Sequence, residues 1–144
     1  MAKNRLIYSR LWRDEWFVGL KPDAKLLFVY LFSNENVNLA GIYKLNPNLI
    51  AFETGLSYER VLELLRNFER DRKVFFRNNL LWVANLRRYN ATSSNTVAQR
   101  IRSDLEAIPD CPLKRAYLAY YNGNPDWAEE LWESAEPDNR RRYV

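Results

Sequence analysis

Apolar residues recur along this chain with two different periods, and the switches between them mark out its elements. In PDAKLLFVYLFSN, from Pro22, the residues Ala24, Leu27, Phe28 and Leu31 fall at helical spacing. The additional Leu26, Tyr30 and Phe32 imply burial on more than one side, so this helix is expected at the centre of the core. Pro22 suits its first position, where a fixed φ helps and the missing N–H would have had no partner. GIYKL then reads as a short strand ended by Asn46-Pro47. PNLIAFETG reads as a short helix with Leu49, Ile50 and Phe52 apolar and Gly55 at a left-handed C-cap. In SYERVLELLRNFERDRK, Val61, Leu64, Leu65 and Phe68 repeat at i, i+3, i+4 and i+7 behind a Ser57 N-cap. Arg60 stands where a capping-box acid would stand, so that box is incomplete.

The period then drops to two. KVFF and LLWVANL alternate around Arg77-Asn78-Asn79, which predicts a β-hairpin with one buried face, anchored by Phe76, Leu81 and Val83 or by their alternating neighbours. Helix, strand, short helix, turn, amphipathic helix and hairpin, in that order, make the plan of a winged helix-turn-helix, with the hairpin as wing. Before it, NRLIYSRLWRDEWFVGL suggests an extended lead and a short turn, with Trp12, Trp16 and Phe17 packing on one patch. After it, a helix capped near Ser93 to Asn95 carries the seam Val97, Ile101, Leu105 and Ile108, and LKRAYLAYY sets Leu113, Ala116, Tyr117 and Tyr120 on one side. The expected class is α+β, mainly α, with a winged helix-turn-helix at 1–90, a helical extension at 91–121 and an acidic, mobile tail at 122–144. The extension is expected to pack on the winged helix or, through Tyr117, Tyr120 and Tyr121, on a second subunit.

Composition narrows the chemistry. Histidine is absent and Cys111 is the single cysteine, which removes His-based acid–base catalysis, Ser-His-Asp triads and Cys/His zinc sites. No catalytic residue, metal or cofactor is expected, and the chain reads as a non-enzyme. A lone cysteine, the polar start MAKNR and the lack of any run of ~20 apolar residues favour a cytoplasmic protein outside the membrane. Charge is uneven: residues 1–121 hold 19 Lys/Arg and 12 Asp/Glu, whereas residues 122–144 hold 3 and 6. A basic body is a prior for a polyanionic partner.

Four segments in order, WRDEWF, LKPDAKLLFVYLF, GIYKLNPNLIAFETGLSYERV and LLWVANLRRYN, resemble the N-terminal winged-helix region of phage replication-initiation or replisome-organiser proteins, a group related to DnaD-type primosome proteins. The resemblance spans roughly residues 5–110. It implies binding of double-stranded DNA, or self-association, near a replication origin. The family's further C-terminal domain has no counterpart after Tyr121, where only the acidic segment follows, so helicase loading is not expected of this sequence.

In a winged helix the second helix of the turn meets base edges and the wing grips phosphate. That places Tyr58, Arg60, Arg66, Asn67 and Arg70 on the reading helix, with Arg60, Arg66 and Asn67 as candidate base readers. Glu59 and Glu63 on the same face suit a solvated or protein-contacting helix equally well. Lys73, Arg77, Asn78, Asn79, Arg87 and Arg88 form the expected basic wing, and Lys44, Asn46 and Asn48 precede the first helix of the turn. The alternative is a protein-interaction module, an oligomerising adaptor or an inhibitor of a host factor. For it, Trp127, Leu131 and Trp132 of the acidic tail are candidate contacts with a replication or host protein.

Overall fold

The computed structural model describes residues 4–90 and 94–134. A 3-10 turn (Ser9–Arg13) and α1 (Glu15–Val18) lead into α2 (Pro22–Ser33), β1 (Ile42–Lys44), α3 (Pro47–Thr54) and α4 (Tyr58–Arg70). Then follow β2 (Val74–Arg77), β3 (Leu80–Val83), α5 (Leu86–Asn90), α6 (Asn95–Glu106), α7 (Pro112–Tyr121) and α8 (Glu129–Ser134). Among the described residues the architecture is α+β and mainly helical, around one antiparallel sheet of order β1-β3-β2. No helix among the described residues is long and apolar enough to cross a membrane.

Local chemistry accounts for the ends of the elements. Asp14 accepts the backbone N–H of Phe17 at 3.0 Å and starts α1. Asn46 accepts from the N–H of Asn48 at 2.8 Å and starts α3, which stops at Gly55 with φ +80°. Ser57 accepts from the N–H of Arg60 at 3.1 Å and starts α4. The incomplete capping box has a use: the Arg60 side chain leaves its own helix end and binds Asp23 of α2 at 2.6 and 3.1 Å, with Glu63 at 3.1 Å beside it. These charges pin the start of α4 to the start of α2.

The hairpin turns through Asn78 (φ +49°) and Asn79 (φ +62°), two consecutive left-handed residues as a tight two-residue hairpin turn requires. Arg77 is not part of the tip. It pairs with Leu80 inside the ladder, and Val74 pairs with Val83 at the other end. The LRRYN exit is helix α5 rather than a continued strand.

One buried face was expected of the hairpin, and both are buried. Val74, Leu81 and Val83 join Leu27, Phe28, Leu31, Val61, Leu64 and Phe68 in a core beneath the sheet. Phe75, Leu80 and Trp82 point the other way, into a second core with Ile42, Ile101, Leu113, Tyr117 and Leu131. The alternation is between two apolar environments, so polarity could not reveal the second. The extension therefore packs on the sheet of its own chain. Tyr117 donates to the carbonyl of Ala40 at 2.7 Å and Tyr121 to that of Ala84 at 2.9 Å, so these two tyrosines are engaged within the chain.

Residues 122–134 are not a free tail. Trp127 packs edge-on against Phe75, Trp82 and Tyr120, and Leu131 is fully buried. Six residues of helix are too few to be stable alone in water, so α8 exists because these anchors hold it. The side chain of Trp132, the Arg140-Arg141-Arg142 run and the rest of 135–144 lie outside the described residues, as does Ser93 of the expected cap region; Ser94 is the N-cap of α6.

Candidate nucleic-acid interface

The expected site residues fall into three groups. The first gathers at the hairpin tip. Leu45 N–H bonds the carbonyl of Asn79 at 2.8 Å, and Lys44 pairs with Leu80, so the turn between β1 and α3 lies beside the β2–β3 turn. Lys44, Asn46, Asn48, Asn78 and Asn79 are all exposed there. The result is an amide-rich edge with one lysine, next to the N-terminus of α3.

The second group is the outer face of α4. Glu59, Glu63, Arg66 and Arg70 are exposed, with Asn67 partly so, as the helical spacing predicts, and Tyr58 at the start of the helix is exposed as well. Arg60 departs from its expected role, because its guanidinium is held by Asp23 and Glu63. The bidentate contact with Arg60 holds the Asp23 carboxyl below its ordinary range.

The third group was expected to make the wing cationic, and the structure dismantles it. Arg77 turns inward to Glu69 of α4, a carboxylate only 4% exposed, and also donates to the carbonyls of Phe76 and Leu131. A buried acid demands a partner, and Arg77 supplies the cation. Arg87 lies over the Tyr121 ring at 4.5 Å and donates to the Tyr117 hydroxyl at 3.3 Å. Lys73 sits 5.0 Å over the ring of Trp16, at the end of β2 away from the tip. Of Arg77, Arg87 and Arg88, Arg88 is the one that is exposed rather than partly buried. The wing is thus an amide tip rather than a cationic one.

Sequence periodicity missed one surface. Of the three apolar positions of α3, only Ile50 is buried; Leu49 is exposed and Phe52 is 85% exposed. With Tyr58 at the start of α4 they put apolar side chains on the outer surface of the α3–α4 pair. A helical wheel of α3 could have hinted at this, since Leu49 and Phe52 share a face from which Ile50 points away.

Comparison of the chain with protein-family models, with curated proteins and with solved structures gave no match.

Proposed function

We propose that this chain is a double-stranded DNA-binding protein of the winged helix-turn-helix type, acting in the cytoplasm in replication initiation or its regulation, in the manner of the phage proteins it resembles. The reading is carried by one observation: α3, α4 and the β2–β3 hairpin follow β1 in winged-helix order, with the outer face of α4 and the amide-rich hairpin tip both open to solvent. Arg66, Asn67 and Arg70 would then face base edges. Lys44, Asn46, Asn48, Asn78 and Asn79 would hold phosphate on one side, and Arg88 would add charge at the other end of the sheet. Arg60, Arg77 and Arg87 serve the fold in this scheme. The test is titration of labelled duplex DNA at several salt concentrations, with the intact chain and an Arg66→Ala/Arg70→Ala variant. Affinity should fall steeply with salt, and less steeply in the variant. No duplex affinity at low salt would end this reading.

A second reading has its own observation. Phe52 and Leu49 are exposed on α3, and the exposed face of α4 carries Glu59 and Glu63, features better suited to protein than to phosphate. In this reading the module docks on a replication protein, a host protein or a second copy through α3, and Phe52→Ser abolishes that docking while leaving any DNA affinity unchanged.

A further inference from the structure

Away from α4, the N-terminal lead lies over the end of the sheet opposite the hairpin tip and borders an open-sided cavity of about 290 Å³. Tyr8, Trp16, Phe28 and Phe32 give it an aromatic lining. Its polar lining is lopsided: among the described residues Arg10, Arg13 and Lys73 stand against one carboxylate, that of Asp14, which is already engaged as the cap of α1. Asn85, in the turn between β3 and α5, adds an amide with both a donor and an acceptor.

Trp16 is fixed in place. Its indole N–H donates to Asp71 at 2.9 Å, and its ring meets Phe28 and Phe68 edge-on at 4.9 and 5.7 Å. Lys73 lies over the ring, so a flexible cation covers a rigid aromatic surface at the cavity. A flat aromatic ligand would exchange a half-exposed cation–π contact for stacking, which is generally the stronger of the two, and would free the lysine to meet an anion the ligand carries. The volume sits at the lower edge of the ~300–1,000 Å³ range of small-molecule pockets, which suits one ring system rather than a large cofactor.

We propose that this cavity takes one unstacked nucleotide: the base lies against Trp16 with Asn85 at its edge, and the phosphate meets Lys73, Arg10 and Arg13. A free nucleotide and one nucleotide of a single strand present the same chemistry. This site stands apart from the duplex-reading face of α4 and does not depend on it.

The intact chain would be titrated with thymidine monophosphate, with a short labelled oligothymidylate and with an abasic oligonucleotide of the same length. The Trp16 indole cross-peak in a ¹H–¹⁵N spectrum, assigned through Trp16→Phe, gives a readout at the site. Oligothymidylate or the free nucleotide should shift that peak, and an Arg10→Ala/Arg13→Ala/Lys73→Ala variant should bind about tenfold or more weakly. Asn85→Ala, which removes only a side-chain amide at a turn, should weaken the thymine ligands and not the abasic one. Binding by the oligonucleotide with none by the monophosphate assigns the site to single strands; the reverse assigns it to free nucleotides. Equal affinity for abasic and thymine strands, an unmoved Trp16 signal, or unchanged affinity in the triple variant would overturn the proposal. Duplex affinity measured in parallel should survive the Asn85 change, which separates failure here from failure of the duplex reading.

Discussion

Arg77 and Glu69 form a nearly buried ion pair that joins the hairpin to the helix beneath it. The guanidinium meets both carboxylate oxygens, and the side chains are only 17% and 5% exposed. Removing one member of such a pair strands the other charge in a poorly solvated place. Arg77→Ala is therefore expected to cost about 3–5 kcal/mol in urea unfolding. A double variant, Glu69→Gln with Arg77→Met, should recover much of that loss, because neither side chain is then charged. If the single and double variants unfold at the same denaturant concentration, the pair is not what fastens the hairpin.

That pair also shows where the sequence was readable. Ser57, Pro22, Gly55 and the i, i+3, i+4 spacing of α4 are local signals, and each element they predict is present. Long-range partners leave no such mark. Glu69 lies one position beyond the apolar run of α4 and reads as a solvated acid until the hairpin arrives with Arg77. Likewise LLWV is apolar at every position, so period two could choose neither face, and the second core beneath α7 and α8 was hidden. Trp127 and Leu131 lie among acids, and their burial follows from docking rather than from local pattern.

The Asp23–Arg60 pair gives a pH dependence with a defined sign. Hydrogen bonding to Arg60 lowers the Asp23 pKa from its ordinary 3.8, so folding stabilises the ionised carboxyl. That contribution is fully present above the unfolded value and disappears as pH falls through the lower, folded value. Asp23→Asn should lose roughly 0.5–1 kcal/mol at neutral pH, the range of a partly exposed pair. The gap between variant and parent should close as unfolding is measured at successively lower pH, beginning below 3.8. A gap that persists at the acid end would assign the effect to packing instead of charge.

Two glycines with positive φ should respond differently to a methyl group. Gly41 (φ +77°) would place a Cβ 3.0 Å from the backbone nitrogen of Arg87 and 3.1 Å from the Leu86 side chain, whereas Gly55 (φ +80°) faces open space. Gly55→Ala should cost only the left-handed backbone penalty of roughly 1–2 kcal/mol. Gly41→Ala carries the same penalty plus displacement of α5, and its thermal midpoint should drop further. Equal drops would mean that α5 yields freely at this contact.

The neighbouring arginines of α5 separate structural charge from available charge. Arg87 is sandwiched against Tyr121 and Tyr117, and burial pushes the Tyr117 hydroxyl up to about 12, so that hydroxyl stays protonated and bonded to Ala40 at neutral pH. Arg88, one residue on, is exposed. On the duplex reading, a phosphate contact by Arg88 requires Arg88→Ala to reduce the slope of log affinity against log salt by about 1, with unfolding unchanged within ~0.5 kcal/mol. Arg87→Ala should do the opposite: lower the unfolding midpoint through the lost ring and hydroxyl contacts, and leave the salt slope nearly as it was. If Arg87→Ala flattens the slope as much as Arg88→Ala does, Arg87 must leave its tyrosines when DNA binds, and α7 would then be part of the binding transition.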